Sequence, residues 1–266
     1  MRPTFSVVLP FFDEAGFLPR TLESWLAQTL LPDELVLVDN GSTDGSADLA
    51  RDLLGRRRPP FEVLHLAEPR PGKTAALRTA CARASGSWLV FSDADTDYPP
   101  HYLETAERLI DRSSPSLAAV MALPVEGDPS RPAEILRRRL YVALSKVLRK
   151  HVFTGGYGQC LRADVFRRSG GYDERLWPYV LGDHEIMARV LRYGRSRYHP
   201  EFWCLSSPRR TDRGPVRWDV SERALYMVAP FAFHRFLFSK VLGPRFDRRG
   251  LGVCRLRSQP WKDGTR

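Results

Sequence analysis

The chain has 266 residues, of which 43% are hydrophobic and 11% aromatic; that is enough to fill a sizeable core and excludes wholesale disorder. The length fits one large domain or a domain with a modest appendage. The formal charge of +10 is uneven: of 41 Lys+Arg and 31 Asp+Glu, 11 and 16 fall up to Ile110 and 30 and 15 beyond it, so an acidic half precedes a basic one. No stretch supplies the roughly 18 consecutive apolar residues that a spanning helix needs. Cys81, Cys160, Cys204 and Cys254 lie too far apart for a disulfide framework or paired metal ligands. A reduced, cytoplasmic protein is expected, with an opening run that reads as a strand and not as a signal peptide.

Phe5 to Pro10 and Leu35 to Val38 read as buried strands, with helical spacing of Phe17, Leu18, Leu22, Trp25, Leu26 and Leu30 between them. Two further strands, Phe61 to Leu66 and Trp88 to Ser92, are preceded by helical stretches at Ser46 to Leu54 and Lys73 to Ala84. This βαβ alternation predicts a parallel sheet covered by helices, with ligands bound beyond the carboxyl ends of the strands. Arg131 to Lys150 should form a helix with a basic face of Arg137, Arg138, Arg139, Lys146, Arg149 and Lys150. A glycine cluster at Gly155, Gly156 and Gly158 leads to a helix from Arg162 to Arg168, a turn at Gly170-Gly171, and a helix from Asp183 to Gly194. The tail from Arg245 reads as loop.

Three strand ends carry acidic loops: Phe11-Phe12-Asp13-Glu14, Asp39-Asn40-Gly41-Ser42-Thr43-Asp44 and Asp93-Ala94-Asp95-Thr96-Asp97. Asp, Asn, Gly and Ser also terminate strands and cap helices. Three such loops converging on one sheet edge point instead to a ligand or cation site. Asp93 and Asp95, two residues apart, can hold a hard divalent cation while leaving positions for diphosphate and water. Pro71-Gly72-Lys73-Thr74 opens a helix as a P-loop does, but Ala67 stands where that signature needs glycine.

Ser6-Val7-Val8-Leu9-Pro10, Val38-Asp39-Asn40-Gly41-Ser42-Thr43-Asp44, Gly72-Lys73, Phe91-Ser92-Asp93-Ala94-Asp95, Gly155-Gly156-Tyr157-Gly158, Gly170-Gly171-Tyr172-Asp173-Glu174 and Gly182-Asp183 follow one another in order. Over about residues 4 to 195 this series resembles the family-two glycosyltransferases. The resemblance implies a GT-A fold: α/β, a Rossmann-like, mostly parallel sheet flanked by helices, with a helical C-terminal extension. It implies a nucleotide-sugar-binding half at 1–110, an acceptor-binding and catalytic half of the same domain at 111–220, and an extension at 221–266 in contact with membrane or partner.

By the same resemblance, Pro10 and Phe11 line the base pocket, Glu14 and Asp39 hold ribose or base, Lys73 sits near the nucleotide, and Asp93 binds the nucleoside. Asp95 reaches a manganese or magnesium ion. Asp183 is the general base of an inverting transfer, taking the acceptor's proton with no covalent nucleophile; from local sequence alone it reads as a helix N-cap. Arg209 and Arg210 can pair with the diphosphate. Gly214 stands where processive relatives have glutamine, which implies transfer of a single sugar to a hydroxyl acceptor, lipid-linked or part of a cell-envelope glycan. The basic helix and the aromatic segment Ala224 to Leu242 suggest peripheral membrane contact, or else pack internally. A sugar-phosphate nucleotidyltransferase is the alternative, and a basic nucleic-acid-binding module a weaker one, because acidic strand ends repel a phosphate backbone.

Overall fold

The computed structural model describes residues 2–111, 116–148, 150–207, 219–229 and 231–253. Its first half follows the expected alternation: β1 (Phe5–Phe11), α1 (Leu18–Leu26), β2 (Glu34–Asp39), α2 (Ser46–Arg57), β3 (Glu62–Ala67), α3 (Lys73–Arg83) and β4 (Trp88–Phe91). Every residue of β1 and β4 is buried, because helices cover both faces of the sheet, so these strands are unbroken apolar runs. α1 stops short of Leu30. The chain turns out of the helix there, and the buried Gln28 amide ties the turn down by donating to the Pro99 carbonyl (2.9 Å) and accepting from the Leu103 N–H (3.1 Å).

The second half holds β5 (Thr96–Asp97), α4 (Tyr102–Asp111), β6 (Leu117–Val125), α5 (Pro132–Val147), β7 (Gln159–Arg162), α6 (Ala163–Arg168), α7 (Gly182–Val190), β8 (Arg195–Ser206) and α8 (Val220–Val228), then a helical run from Phe231 to Arg248. All eight strands join one sheet in the order β3-β2-β1-β4-β7-β6-β8-β5. β3, β2, β1 and β4 are mutually parallel, and so are β6 and β8; β7 and β5 run antiparallel to their neighbours. The strand periodicity of β8 is hidden because its register on β6 jumps from Met121↔Tyr198 to Leu123↔Trp203, which throws His199, Pro200 and Glu201 out as a bulge.

Side chains of α1, α2 and α4 pack on one sheet face around Trp25 and Tyr102, and those of α3, α6 and α7 on the other around Phe91, Phe166 and Met187. A third, smaller core joins Trp177 to Tyr226, Leu237, Phe238, Leu242 and Phe246. Phe246 is fully buried, and its helix, Gly243–Arg248, replaces the loop expected from Arg245. The aromatic C-terminal segment therefore packs inward in part, while Phe233 and Phe236 stay exposed.

The expected basic face of α5 also needs correction. Arg138 is buried and donates to the carbonyls of Pro200 and Pro129 (both 2.8 Å), and Arg137 pairs with Glu134 (2.7 Å). Leu136, Leu140, Leu144 and Val147 face outward instead.

Candidate active site

The parallel strands β1, β2 and β4 end at one edge, and the loops after β1 and β2 clasp each other there. Asp13, held at a positive φ of 50°, accepts from the Thr43 N–H (2.7 Å) while its own N–H donates to the Ser42 hydroxyl (3.1 Å). The N–H groups of Glu14 and Ala15 donate to the Ser46 hydroxyl and the Asp44 carboxylate (both 2.8 Å). Asp39 accepts from the Ser42 N–H at 2.9 Å, a local side-chain-to-backbone bond that helps turn the chain away from β2. Pro10 and Phe11 are the buried end of β1, with Phe11 packed into the core beside α1.

Asn40 joins this clasp to the loop that carries Lys73, a role that sequence reading misses. Its buried amide donates to the carbonyls of Glu68 (2.8 Å) and Arg70 (2.7 Å), and its oxygen accepts from the Gly72 N–H (2.8 Å). Gly72 sits at φ 127°, a conformation that side-chain-bearing residues avoid, and Lys73 then opens α3. Glu68 braces the same loop: hydrogen bonds from the Arg70 guanidinium and the Thr79 hydroxyl pull its carboxyl down to about 2.

Past β4, the Asp93 carboxylate forms an ion pair with the Lys73 ammonium, so two residues assigned to the donor meet each other. Asp95 is 8% exposed and lies in a loop fixed by two bonds, from the Thr21 hydroxyl to the Ala94 carbonyl (2.9 Å) and from the Trp25 indole to the Ser92 hydroxyl (3.0 Å). Burial raises the carboxyl of Asp97, with the Arg20 guanidinium opposing. Among the described residues no three His, Cys, Asp or Glu side chains converge as a metal cage. The donor set at Asp95 nevertheless suits a hard cation that takes one protein carboxylate and completes its shell with diphosphate and water oxygens.

Asp183 enters from the other half. It is the second residue of α7, and Leu181, at φ 60°, occupies the N-cap; the capping reading of Asp183 is thereby replaced. One carboxylate oxygen accepts from the Gly156 N–H (2.8 Å) and the other from the His184 N–H (3.0 Å). The approach depends on glycine, since a Cβ at Gly155 would lie 3.2 Å from Asp183 Oδ2 and 2.6 Å from the Tyr157 ring. Gln159 donates to the Asp183 carbonyl (3.1 Å). Glu185, next in line, is committed to Arg189 through two hydrogen bonds of 2.8 and 2.7 Å.

Tyr172 connects the two sides. Burial drives its hydroxyl well above the usual phenol range, and the Asp183 and Asp93 carboxylates push it further in the same direction. The tyrosine thus lies within the field of both acids. Glu14, Asp39, Lys73, Asp93 and Asp95 share one sheet edge, and Tyr172 packs between Phe91, at the end of β4, and the glycines Gly156 and Gly182 beside Asp183. Arg209, Arg210 and Gly214 lie outside the described residues.

Comparison with known proteins points the same way. Residues 6–169 match the model of glycosyl transferase family 2. A mycobacterial relative, the PGL/p-HBAD biosynthesis glycosyltransferase of Mycobacterium tuberculosis, is 35% identical over 118 residues, 43% of this chain and 44% of its own length. An uncharacterised glycosyltransferase of Nostoc is 34% identical over 99 residues, 37% of this chain and 30% of its own length. The matched segments thus span less than half of these relatives. Among solved structures, the mannosyltransferase PcManGT of Pyrobaculum calidifontis, in complex with GDP-Man and Mn2+, superposes with a TM-score of 0.68 at 24% identity over 94% of this chain and 73% of its own. TarS of S. aureus, residues 1–349, gives 0.61 at 17% identity over 90% and 74%. These likenesses establish the expected glycosyltransferase fold, with its mostly parallel sheet.

Proposed function

The chain belongs to glycosyl transferase family 2, and we propose that it is an inverting, metal-dependent enzyme that moves one sugar from a nucleotide-sugar donor to a hydroxyl acceptor. The family match leaves the nucleotidyltransferase and nucleic-acid alternatives without support. The observation that carries the reading is that the Tyr172 ring packs on Phe91, at the end of β4 beside the Asp93/Asp95 loop (centroids 5.5 Å), and also lies beside Gly156 and Gly182, the glycines next to Asp183. Structural neighbours hold GDP-Man with Mn2+ in one case and UDP-GlcNAc in another, which supports a nucleotide-sugar donor here.

In this reading Glu14 and Asp39 hold the nucleoside from the β1 and β2 loops, with Pro10 and Phe11 lining the pocket of its base. Asp93 and Lys73 separate as the donor enters, the ammonium turning to phosphate and the carboxylate to the nucleoside. Asp95 would hold manganese or magnesium, which when bound offsets the charge building on the departing diphosphate. Asp183, steadied by two backbone N–H groups, takes the proton of the acceptor hydroxyl as that oxygen attacks the anomeric carbon opposite the leaving group. Arg209 and Arg210 complete the diphosphate's surroundings. No disulfide joins Cys81, Cys160 and Cys204 among the described residues, which supports a reducing, cytoplasmic setting in this reading.

Thermal-shift titration with nucleoside diphosphates and nucleotide sugars, with and without manganese, tests the donor side. A ligand at about 100 times its dissociation constant adds roughly 2.7 kcal/mol. The expected result is a shift that needs the metal in wild type and is lost in Asp95→Ala with the unliganded Tm unchanged. A metal-independent shift of equal size in both proteins would refute the assignment of Asp95.

A further inference from the structure

We infer that the outward face of α5, with the exposed phenylalanines of the C-terminal run, seats the protein in the interface of an anionic lipid membrane. The inference rests on the inverted polarity of α5. Leu136, Leu140, Leu144 and Val147 are 57, 60, 41 and 78% exposed, and their spacing of four, four and three residues places them on one side of the helix. At 1.5 Å per residue the stripe runs for about 17 Å.

The inward side includes charge beside Tyr141 and Val142. Arg138 is 7% exposed, its guanidinium bonded to two carbonyls and lying 5.5 Å from the centre of the Trp203 ring, and Arg137 is held by Glu134. A surface helix that faces water shows the opposite arrangement, and an apolar stripe left outside marks a contact surface. A second patch adjoins it: the Lys150 ammonium, just past α5, lies 4.3 Å from the centre of the Phe231 ring, at the start of the run in which Phe233 and Phe236 are 61 and 60% exposed.

Charge selects the occupant. Neither Ile135 to Thr154 nor Phe231 to Gly243 contains an Asp or Glu. Exposed Arg139 and Lys146 accompany the leucines, and exposed Arg235 and Lys240 accompany the phenylalanines. A second copy of the chain would press cation against cation across this face. Anionic headgroups supply the opposite charge, and the acyl boundary takes the leucines. The leucines and phenylalanines insert, and the tether does not run through Arg137 or Arg138, which the fold already uses. The inference rests on the transferase reading only for its purpose, access to a membrane-borne acceptor.

The test is co-sedimentation of the full chain with vesicles of phosphatidylglycerol and phosphatidylcholine, and with vesicles of phosphatidylcholine alone. Light scattering gives the oligomeric state, and the thermal shift with nucleoside diphosphate serves as a control for the donor site. Wild type should bind the mixed vesicles, and moderate salt should weaken that binding without abolishing it. Leu136→Gln with Leu140→Gln should lower partition by about a hundredfold, from the loss of two leucine insertions, while the nucleotide shift is retained. Phe233→Ser with Phe236→Ser should give a smaller loss. Wild type that ignores the mixed vesicles, a double leucine variant that binds as wild type does, or a dimer that the leucine variant dissociates would each overturn the inference. A retained nucleotide shift in any of these cases leaves the transferase reading standing, and its loss in wild type would count against that reading alone.

Discussion

The two sides of the candidate active site are held by different means. On the donor side, polar side chains bond the backbone of neighbouring loops: Asp13 to Thr43, Asp39 to Ser42, and Asn40 to Glu68, Arg70 and Gly72. On the base side the fit depends on missing side chains and on packing, with Gly155 and Gly156 close against Asp183 and Trp177 and Tyr226 in a separate core behind α7. A hydrogen-bonded lattice fixes geometry because each buried group that loses its partner costs about 1–3 kcal/mol. Asp183 has two such bonds, from the Gly156 and His184 N–H groups, but the glycine approach around it fixes only a distance. The donor side is therefore expected to be the stiffer half, and the base side the one that yields to an acceptor.

The sharpest way to break this contrast is Asp183→Asn. The amide keeps the size and most of the hydrogen bonds but accepts no proton, so turnover should fall by about 10² to 10⁴ with donor affinity unchanged. Calorimetry with the donor, together with transfer rates at saturating donor, separates the two quantities, and full activity would remove Asp183 from the chemistry. Next in size is Asn40→Ala, which strips two carbonyls and one N–H of their partners. It should cost about 2–3 kcal/mol of stability in denaturant unfolding and weaken nucleotide binding, because the Lys73 loop loses its anchor. A variant as stable as wild type would show that the lattice is not what holds the donor side.

The smallest effect concerns pH and should separate the halves. Burial, helped by the neighbouring His151, lowers His234 from 6.5 to about 4 in the folded chain. The unfolded chain takes up that proton first, so the stabilisation is complete above pH 6.5 and is lost as pH falls toward 4. Glu68 on the donor side is lowered from 4.5 to about 2, so its contribution holds above pH 4.5 and is lost only below it. The Tm should therefore drop by a few degrees in two stages on acidification, and His234→Gln should shrink the first stage and leave the second, with the rest of the first stage coming from His65 and His184, which burial also lowers. A single transition below pH 4.5 in both proteins would contradict the assignment.

The fold of the first half was legible because strands buried on both faces write themselves as short apolar runs between helical periods, as at Val7–Leu9 and Leu35–Val38. The paired acids of the β4 loop and the glycines before Asp183 stand out in the sequence only as members of an ordered series, since Asp and Gly also end strands and cap helices. What escaped depends on three-dimensional proximity. The bulge at His199 to Glu201 breaks the alternation of β8, and the inward turn of Arg138 shows only when Trp203 and the Pro200 carbonyl arrive beneath it. Asn40 reads as an ordinary turn residue until Gly72, 32 residues later, donates to it. Tyr172 shows no link to Asp93 in sequence, because 79 residues separate them.

The Asn40 strap has a consequence for how such an enzyme can be diversified. Because one side chain ties the end of β2 to residues 68, 70 and 72, neither loop can be exchanged alone: a graft of either leaves the recipient with broken bonds at the junction. Residues 11–46 and 67–73 would thus be exchanged together, and in the proposed reading a change of donor would require both.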